Sequence, residues 1–166
     1  IAQTTRLERL NLANNQIGDA GIAALATAME VGPAPLVHAD LAGNRFGSAG
    51  GKSLVGLVMA NSALVSLNLE GANLPIKQLK GIDPLDKLDL SGKDKPLGAA
   101  SGLVIAKCVE GNGVLTECNS RDNNLDIESA KLLAKVATQK RVMLFGIKHD
   151  QKEAEFCNES RGPPDA

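Results

Sequence analysis

Two histidines, three cysteines and the segment FGSAGG are where this sequence could do chemistry, and none of them assembles a site. His38 and His149 stand in no metal-ligand spacing and beside no nucleophile or paired carboxylate. FGSAGG has the glycines of a phosphate cradle but lacks the Lys-Ser/Thr ending that would hold phosphate and magnesium. Cys108, Cys118 and Cys157 form no C-x-x-C pair, and their odd number argues against a complete disulfide framework. Reduced, partly buried thiols in an intracellular protein are expected, and no secretory leader is legible, so the expected location is cytoplasmic. Asn158-Glu159-Ser160 is formally a glycosylation sequon, but a lone one without such a leader is usually unused. No catalytic, cofactor-binding or metal-ligating residue is assigned.

Composition narrows the partners. The 166 residues suffice for one domain with a sizeable core. Eighteen basic and nineteen acidic residues leave a net charge of -1, so no long-range field draws nucleic acid or an anionic membrane. Aromatic residues are 2%, three Phe with no Trp or Tyr, which leaves little for bases to stack on. The longest apolar runs, such as Leu54 to Ala60, are too short to span a bilayer. The expected partner is therefore a protein, with no nucleic acid, no membrane insertion and no small-molecule substrate.

The elements that would position any binding group come from repetition. Leu7, Leu10, Leu12, Asn15 and Ile17 return as Leu36, Ala39, Leu41, Asn44 and Phe46, then as Leu64, Leu67, Leu69, Ala72 and Leu74. Further copies begin Leu85, Leu88 and Leu90, with Lys93 in the asparagine slot, and Leu115, Cys118, Ser120, Asn123 and Leu125. A degenerate sixth reads Val142, Phe145, Ile147 and Asp150. First positions are spaced by 29, 28, 21, 30 and 27 residues. Residues two apart share a face of a strand, so Leu10 and Leu12 point inward together. Asn15 follows where the chain bends away, and its amide is suited to satisfy backbone groups there. A strand this short cannot bury its own apolar face, so copies must stack.

Helical spacing follows each strand. Ile17, Gly21, Leu25 and Met29 lie four apart, as do Phe46, Gly50, Leu54 and Val58. The spacing predicts helices over Asp19–Glu30, Ser48–Asn61, Ala99–Glu110 and Ile127–Thr138. The small residue after each apolar anchor is read as room for the helix to approach the strand layer, and glycines such as Gly111 and Gly113 as helix ends. The third copy is too short for a full helix between Leu74 and Asp83. Parallel strands are predicted near Leu10, Leu41, Leu67, Leu88, Ser120 and Phe145. Lys93 to Pro96 is expected to protrude as a loop. Asn44 is expected to be buried, and the third and fourth copies, which lack the asparagine, to be the softest.

The pattern L-x-x-L-x-L-x-x-N-x-L with a helix in each copy resembles a leucine-rich repeat of the ribonuclease-inhibitor type over about residues 5 to 150. The resemblance implies an α/β fold: a curved solenoid of about six repeats, parallel strands on its concave face and helices on its convex face. It assigns residues 1–150 to the solenoid and 151–166 to a C-terminal cap and tail. It also implies a non-catalytic protein-protein interaction module or scaffold, such as a structural subunit of a larger assembly. The alternative is a regulator of an enzyme, such as a GTPase-activating or inhibitor module. Ribonuclease inhibition itself calls for a strongly acidic face, which net charge -1 does not supply.

On such a stack, strand residues alternating with the leucines face outward. One column reads Asn11, Asp40, Asn68, Asp89, Asn119 and Gly146. Beside it run Arg9, His38, Ser66, Lys87, Glu117 and Leu144, and on the other side Ala13, Ala42, Glu70, Ser91, Arg121 and Lys148. The candidate protein-binding residues are Arg9, Asn11, His38, Asp40, Asn68, Glu70, Lys87, Asp89, Asn119 and Arg121.

Overall fold

The computed structural model describes residues 7–31, 36–92 and 95–144. Three-residue strands alternate with helices: β1 Arg9–Asn11, α1 Asp19–Val31, β2 His38–Asp40, α2 Ser48–Ala60 and β3 Ser66–Asn68. Then come β4 Asn73–Pro75, α3 Ile76–Leu79, β5 Lys87–Asp89, α4 Ala99–Gly111, β6 Glu117–Asn119, α5 Ile127–Lys140 and β7 Met143–Leu144. The four long helices lie within a residue or two of their expected bounds. The third copy holds only α3, four residues long.

The strands fall into two sheets, β1-β2-β3-β4 and β5-β6-β7. Leu10, Ala39 and Leu67 are in register through parallel pairs, as are Leu88, Cys118 and Leu144. Three expectations are corrected. Strand centres lie at Ala39 and Cys118, because Leu41 and Ser120 already belong to the bend. The sixth copy sits one residue earlier, with Leu144 opposite Cys118, so Leu144 is buried at 8% exposure and does not face outward. The strand layer is not parallel throughout, since β4 pairs antiparallel with β3.

The reversal has a local cause. Asn68 Oδ1 accepts the Gly71 N–H at 2.8 Å, and Gly71 takes φ +118°, a turn that sends the chain back along β3. The Ile76 N–H then bonds to Val65 at 2.9 Å. Strand alternation therefore aims Asn73 and Pro75 at the opposite edge, where proline offers no N–H to a further strand. The ladder stops there, and β5 opens a second sheet.

Asparagine closes the bends elsewhere. Asn44 Nδ2 donates to the Leu12 and Leu41 carbonyls at 2.8 Å each, while its Oδ1 accepts the Ile17 N–H at 3.1 Å. Asn123 repeats this with the Leu90 and Ser120 carbonyls and the Leu97 N–H. Each side chain joins its own copy to the preceding one. Asn44 is half-buried rather than buried, because the bend it closes lies at the rim of the core.

A second asparagine pair works at the helix ends, where Asn61 and Asn112, not glycines, cap α2 and α4. Asn112 donates to the Gln78 and Leu79 carbonyls and accepts the Val114 and Leu115 N–H groups. Asn61 does the same between Leu36 and the pair Ala63 and Leu64. Lys80 completes the work at the shortened copy: its Nζ donates to the Val58, Met59 and Asn61 carbonyls at 2.9, 3.2 and 3.1 Å.

With no full helix in the third copy, α4 packs directly against both α2 and α5. Its residues from Ala100 to Ala106 are all buried. Close approach requires glycine on this line. A Cβ on Gly51 would meet Ala100 Cα at 2.6 Å, and one on Gly102 would meet Ser129 Cβ at 2.8 Å. The small residues after the anchors thus serve helix-to-helix contact as well as the packing of each helix over its own anchor, as with Gly50 over Phe46. Across the first turn of α4 the flanking helices meet: Ser48 Oγ donates to Asp126 at 3.1 Å, and Lys52 pairs with Glu128 at 2.6 Å. That ion pair is half-exposed and adds little stability.

Gly51→Ala should lower stability by about 1–3 kcal/mol, because the clashing atom is backbone. Gly111→Ala, which meets nothing within 4 Å, should stay within about 0.5 kcal/mol of the parent. Urea midpoints of the two variants check this. Leu74, Ile76 and Leu79 are each 0% exposed, so the first part of the shortened copy is firmly packed, while Ile82 just beyond it is 49% exposed. Hydrogen exchange should be slower at Leu74–Leu79 and in α4 than in the part-exposed β1, the reverse of what the missing asparagines suggested.

Candidate interaction face

Among the described residues the outward column runs in two pieces, Asn11, Asp40 and Asn68 in one sheet and Asp89 and Asn119 in the other, and its residue types have a local cause. Asn11, Asp40, Asp89 and Asn119 each accept, through Oδ1, the backbone N–H two residues on, at 2.9, 3.1, 2.9 and 3.2 Å. Such side chains turn the backbone off the strand. Asn68 accepts from three residues on and starts the reversal into β4. A short side chain with an acceptor oxygen is therefore needed at this position with or without a partner. Asn73, opposite Asn68 in β4, extends the column and was not foreseen, since the sequence showed no strand there.

Around the column the candidates separate. His38 Nδ1 and Ser66 Oγ lie 2.9 Å apart, a hydrogen bond between neighbouring strands. Lys87 pairs with Glu117 at 3.2 Å, and Asn119 donates to Asp89 at 2.9 Å. Arg9 and Arg121 are exposed and have no ion-pair partner among the described residues. Gly146 and Lys148 of the columns, like Phe145, His149, Cys157 and the cap and tail at 151–166, lie outside the described residues, as do Lys93 and Asp94 of the expected loop.

Glu70 is a helix-capping residue here. Its carboxylate accepts the Ser101 N–H at 3.2 Å and the Ser101 hydroxyl, in the first turn of α4. The same geometry recurs at the other helices. Asp19 accepts the Gly47 and Gly50 N–H groups at 2.9 and 2.7 Å, at the start of α2. Asp126 accepts the Ser129 N–H at 2.8 Å, at the start of its own helix α5. The residues before α2 and α4 are Gly47 and Gly98, which have no side chain to cap with, so the preceding copy supplies the carboxylate. Hydrogen bonds from the Ser129 side chain, then from its backbone N–H, hold the Asp126 carboxyl below the ordinary range, with smaller help from Ser48 and Lys52.

Burial pushes the Cys108 and Cys118 thiols up to about 12, which removes the nucleophilic thiolate at neutral pH. Among the described residues no group of three or more His, Cys, Asp or Glu could hold a metal ion. No described helix is long and apolar enough to cross a membrane.

The family model for Leucine Rich repeat matches residues 5–26, which hold β1, its bend and most of α1. This stretch is similar to a leucine-rich repeat. The second, fourth and fifth copies carry the same order of strand, bend and helix, so the chain is an α/β repeat protein with parallel strands in both sheets. Leucine-rich repeats in general mediate protein-protein interaction and are not catalysts. No curated protein matches the chain.

Glu70→Ala should cost roughly 1–2 kcal/mol, since it strips the first turn of α4 of its acceptor; Glu70→Gln, which keeps an oxygen, should cost less. Chemical denaturation of the two variants checks the order. For Asp126 the sign is set by its lowered folded pKa. Its contribution is fully present above the usual carboxylate range, about pH 4, and is lost as pH falls through the folded value. The stability gap between the parent and Asp126→Asn should therefore narrow between pH 7 and pH 3, as read from urea midpoints.

Proposed function

We propose that this leucine-rich repeat protein is a non-catalytic protein-protein interaction module or scaffold. Its copies would form a curved solenoid of about six repeats of the ribonuclease-inhibitor subtype, with the strand face as the concave binding surface. The observation that carries this reading is the outward column. Asn11, Asp40, Asn68, Asp89 and Asn119 are each held by a turn bond, so a partner meets side chains already ordered. Arg9, His38, Lys87 and Arg121 flank the column and supply charge and reach.

Binding energy should concentrate near the middle of the face. Reversing Asp40 and Asp89 to lysine would break the turns that they hold. The cleaner test removes charge and keeps the acceptor, as in Asp40→Asn with Asp89→Asn, alongside Lys87→Glu with Arg121→Glu. The intact chain would be used to capture partners, and the purified partner measured by calorimetry against both pairs. A loss of at least about tenfold for one pair, with unchanged melting, is expected. A partner that keeps full affinity for both pairs would sink the strand-face reading. A captured GTPase whose hydrolysis the chain accelerates would move the function to enzyme regulation.

A further inference from the structure

Among the described residues, the outer face of α5 carries the largest group of lysines on any helix. α1 begins with Asp19, α2 carries Lys52, α3 carries Lys77, and α4 carries Lys107 and Glu110. In contrast α5 holds Lys131, Lys135 and Lys140, followed at once by Arg141, all exposed. Lys140 lies in the last turn and complements the helix dipole, and Arg141 forms the cap. Lys131 and Lys135 have no such duty. With Ile127 they occupy one stripe at four-residue spacing, beside Leu132 on the next. Ile127 is 76% exposed and Leu132 37%.

The stripe continues onto α4. Lys107 pairs with Glu110, whose carboxyl is held low first by the hydrogen bond and charge of Lys107 and then by the charges of Lys140 and Lys135. One acid thus sits among three ammonium groups. The other nearby acid, Glu128, is taken up by Lys52. What remains is net positive, on a chain whose total charge is -1.

We propose that the exposed face of α5, continued by Lys107 of α4, is a second interaction surface that takes an acidic segment of a partner protein bearing apolar side chains. Lys131 and Lys135 engage its carboxylates, and Ile127 and Leu132 receive its apolar groups. Charge complementarity selects the occupant. A membrane fits less well, because Leu133, Val136 and Ala137 are committed to the core and only two large apolar side chains of α5 remain outside. This surface lies on the helix side, so it is separate from the strand-face function proposed above.

The test uses the full chain and a fluorescein-labelled peptide of Glu-Glu-Leu repeats, with its Lys-Lys-Leu counterpart and phosphatidylserine-containing vesicles as comparisons. Fluorescence anisotropy should show binding of the acidic peptide that weakens as salt rises from 50 to 300 mM. Lys131→Glu with Lys135→Glu should weaken it at least about tenfold, and Ile127→Ser about threefold, while Arg121→Glu leaves it unchanged. Circular dichroism confirms folding, and Lys131→Gln with Lys135→Gln replaces the reversal if that pair unfolds. Failure of the acidic peptide to bind, equal binding of the lysine peptide, no response to the lysine variants, or binding to vesicles alone would overturn the proposal. None of these outcomes bears on Asp40, Lys87 or Asp89.

Discussion

A three-residue strand followed by one helix leaves two debts that it cannot settle alone: inward leucines without cover and backbone groups without partners at each bend. Everything else in the structure follows from how neighbouring copies meet that need. Asn44 and Asn123 join each bend to the one before it, through two donated bonds and one accepted. Asn61 and Asn112 do the same at the helix ends. Asp19 and Glu70 reach forward to cap helices that begin with glycine. Stability is thus shared between copies, and no copy is a unit by itself.

The shortened third copy shows how strong that constraint is. Removing a helix should leave a gap, yet α4 lies against α2 and α5 with glycine at each contact, and is buried along most of its length. The lost strand continuity is handled differently. A hairpin returns along β3, Pro75 ends the ladder, and Lys80 satisfies the carbonyls at the end of α2 that a full helix would have covered. The irregular region is therefore bonded as densely as the regular ones. Among the described residues one buried side-chain group escapes this accounting: Ser120 Oγ is without a partner, in a slot where other copies place leucine.

The strand face and the helix face carry different kinds of surface. On the strands, short polar side chains are fixed by their own turns and flanked by mixed charge. On α5, long flexible lysines stand beside exposed isoleucine and leucine. The first arrangement favours recognition by shape and directed hydrogen bonds, and the second favours electrostatic attraction.

The repeat, the four long helices, the missing third helix and the inward leucines were legible in the sequence, because periods of two and four residues report directly on which side chains share a face. The outward column was legible too, although the turn bonds that select Asn and Asp there were not. What the tertiary structure decided is everything that crosses between copies. Glu70 looked like a surface acid and proved to be a cap, because its acceptor duty depends on Ser101, thirty-one residues away in the chain. The antiparallel β4 depended on a turn at Gly71 and on the nearness of Val65, and no periodicity encodes either. The contact of Ser48 with Asp126 spans seventy-eight residues and arises only because α4 sits deep enough for its neighbours to meet. Local spacing determines faces; which faces meet is decided by packing, since the energy lies in pairs that the chain brings together only on folding.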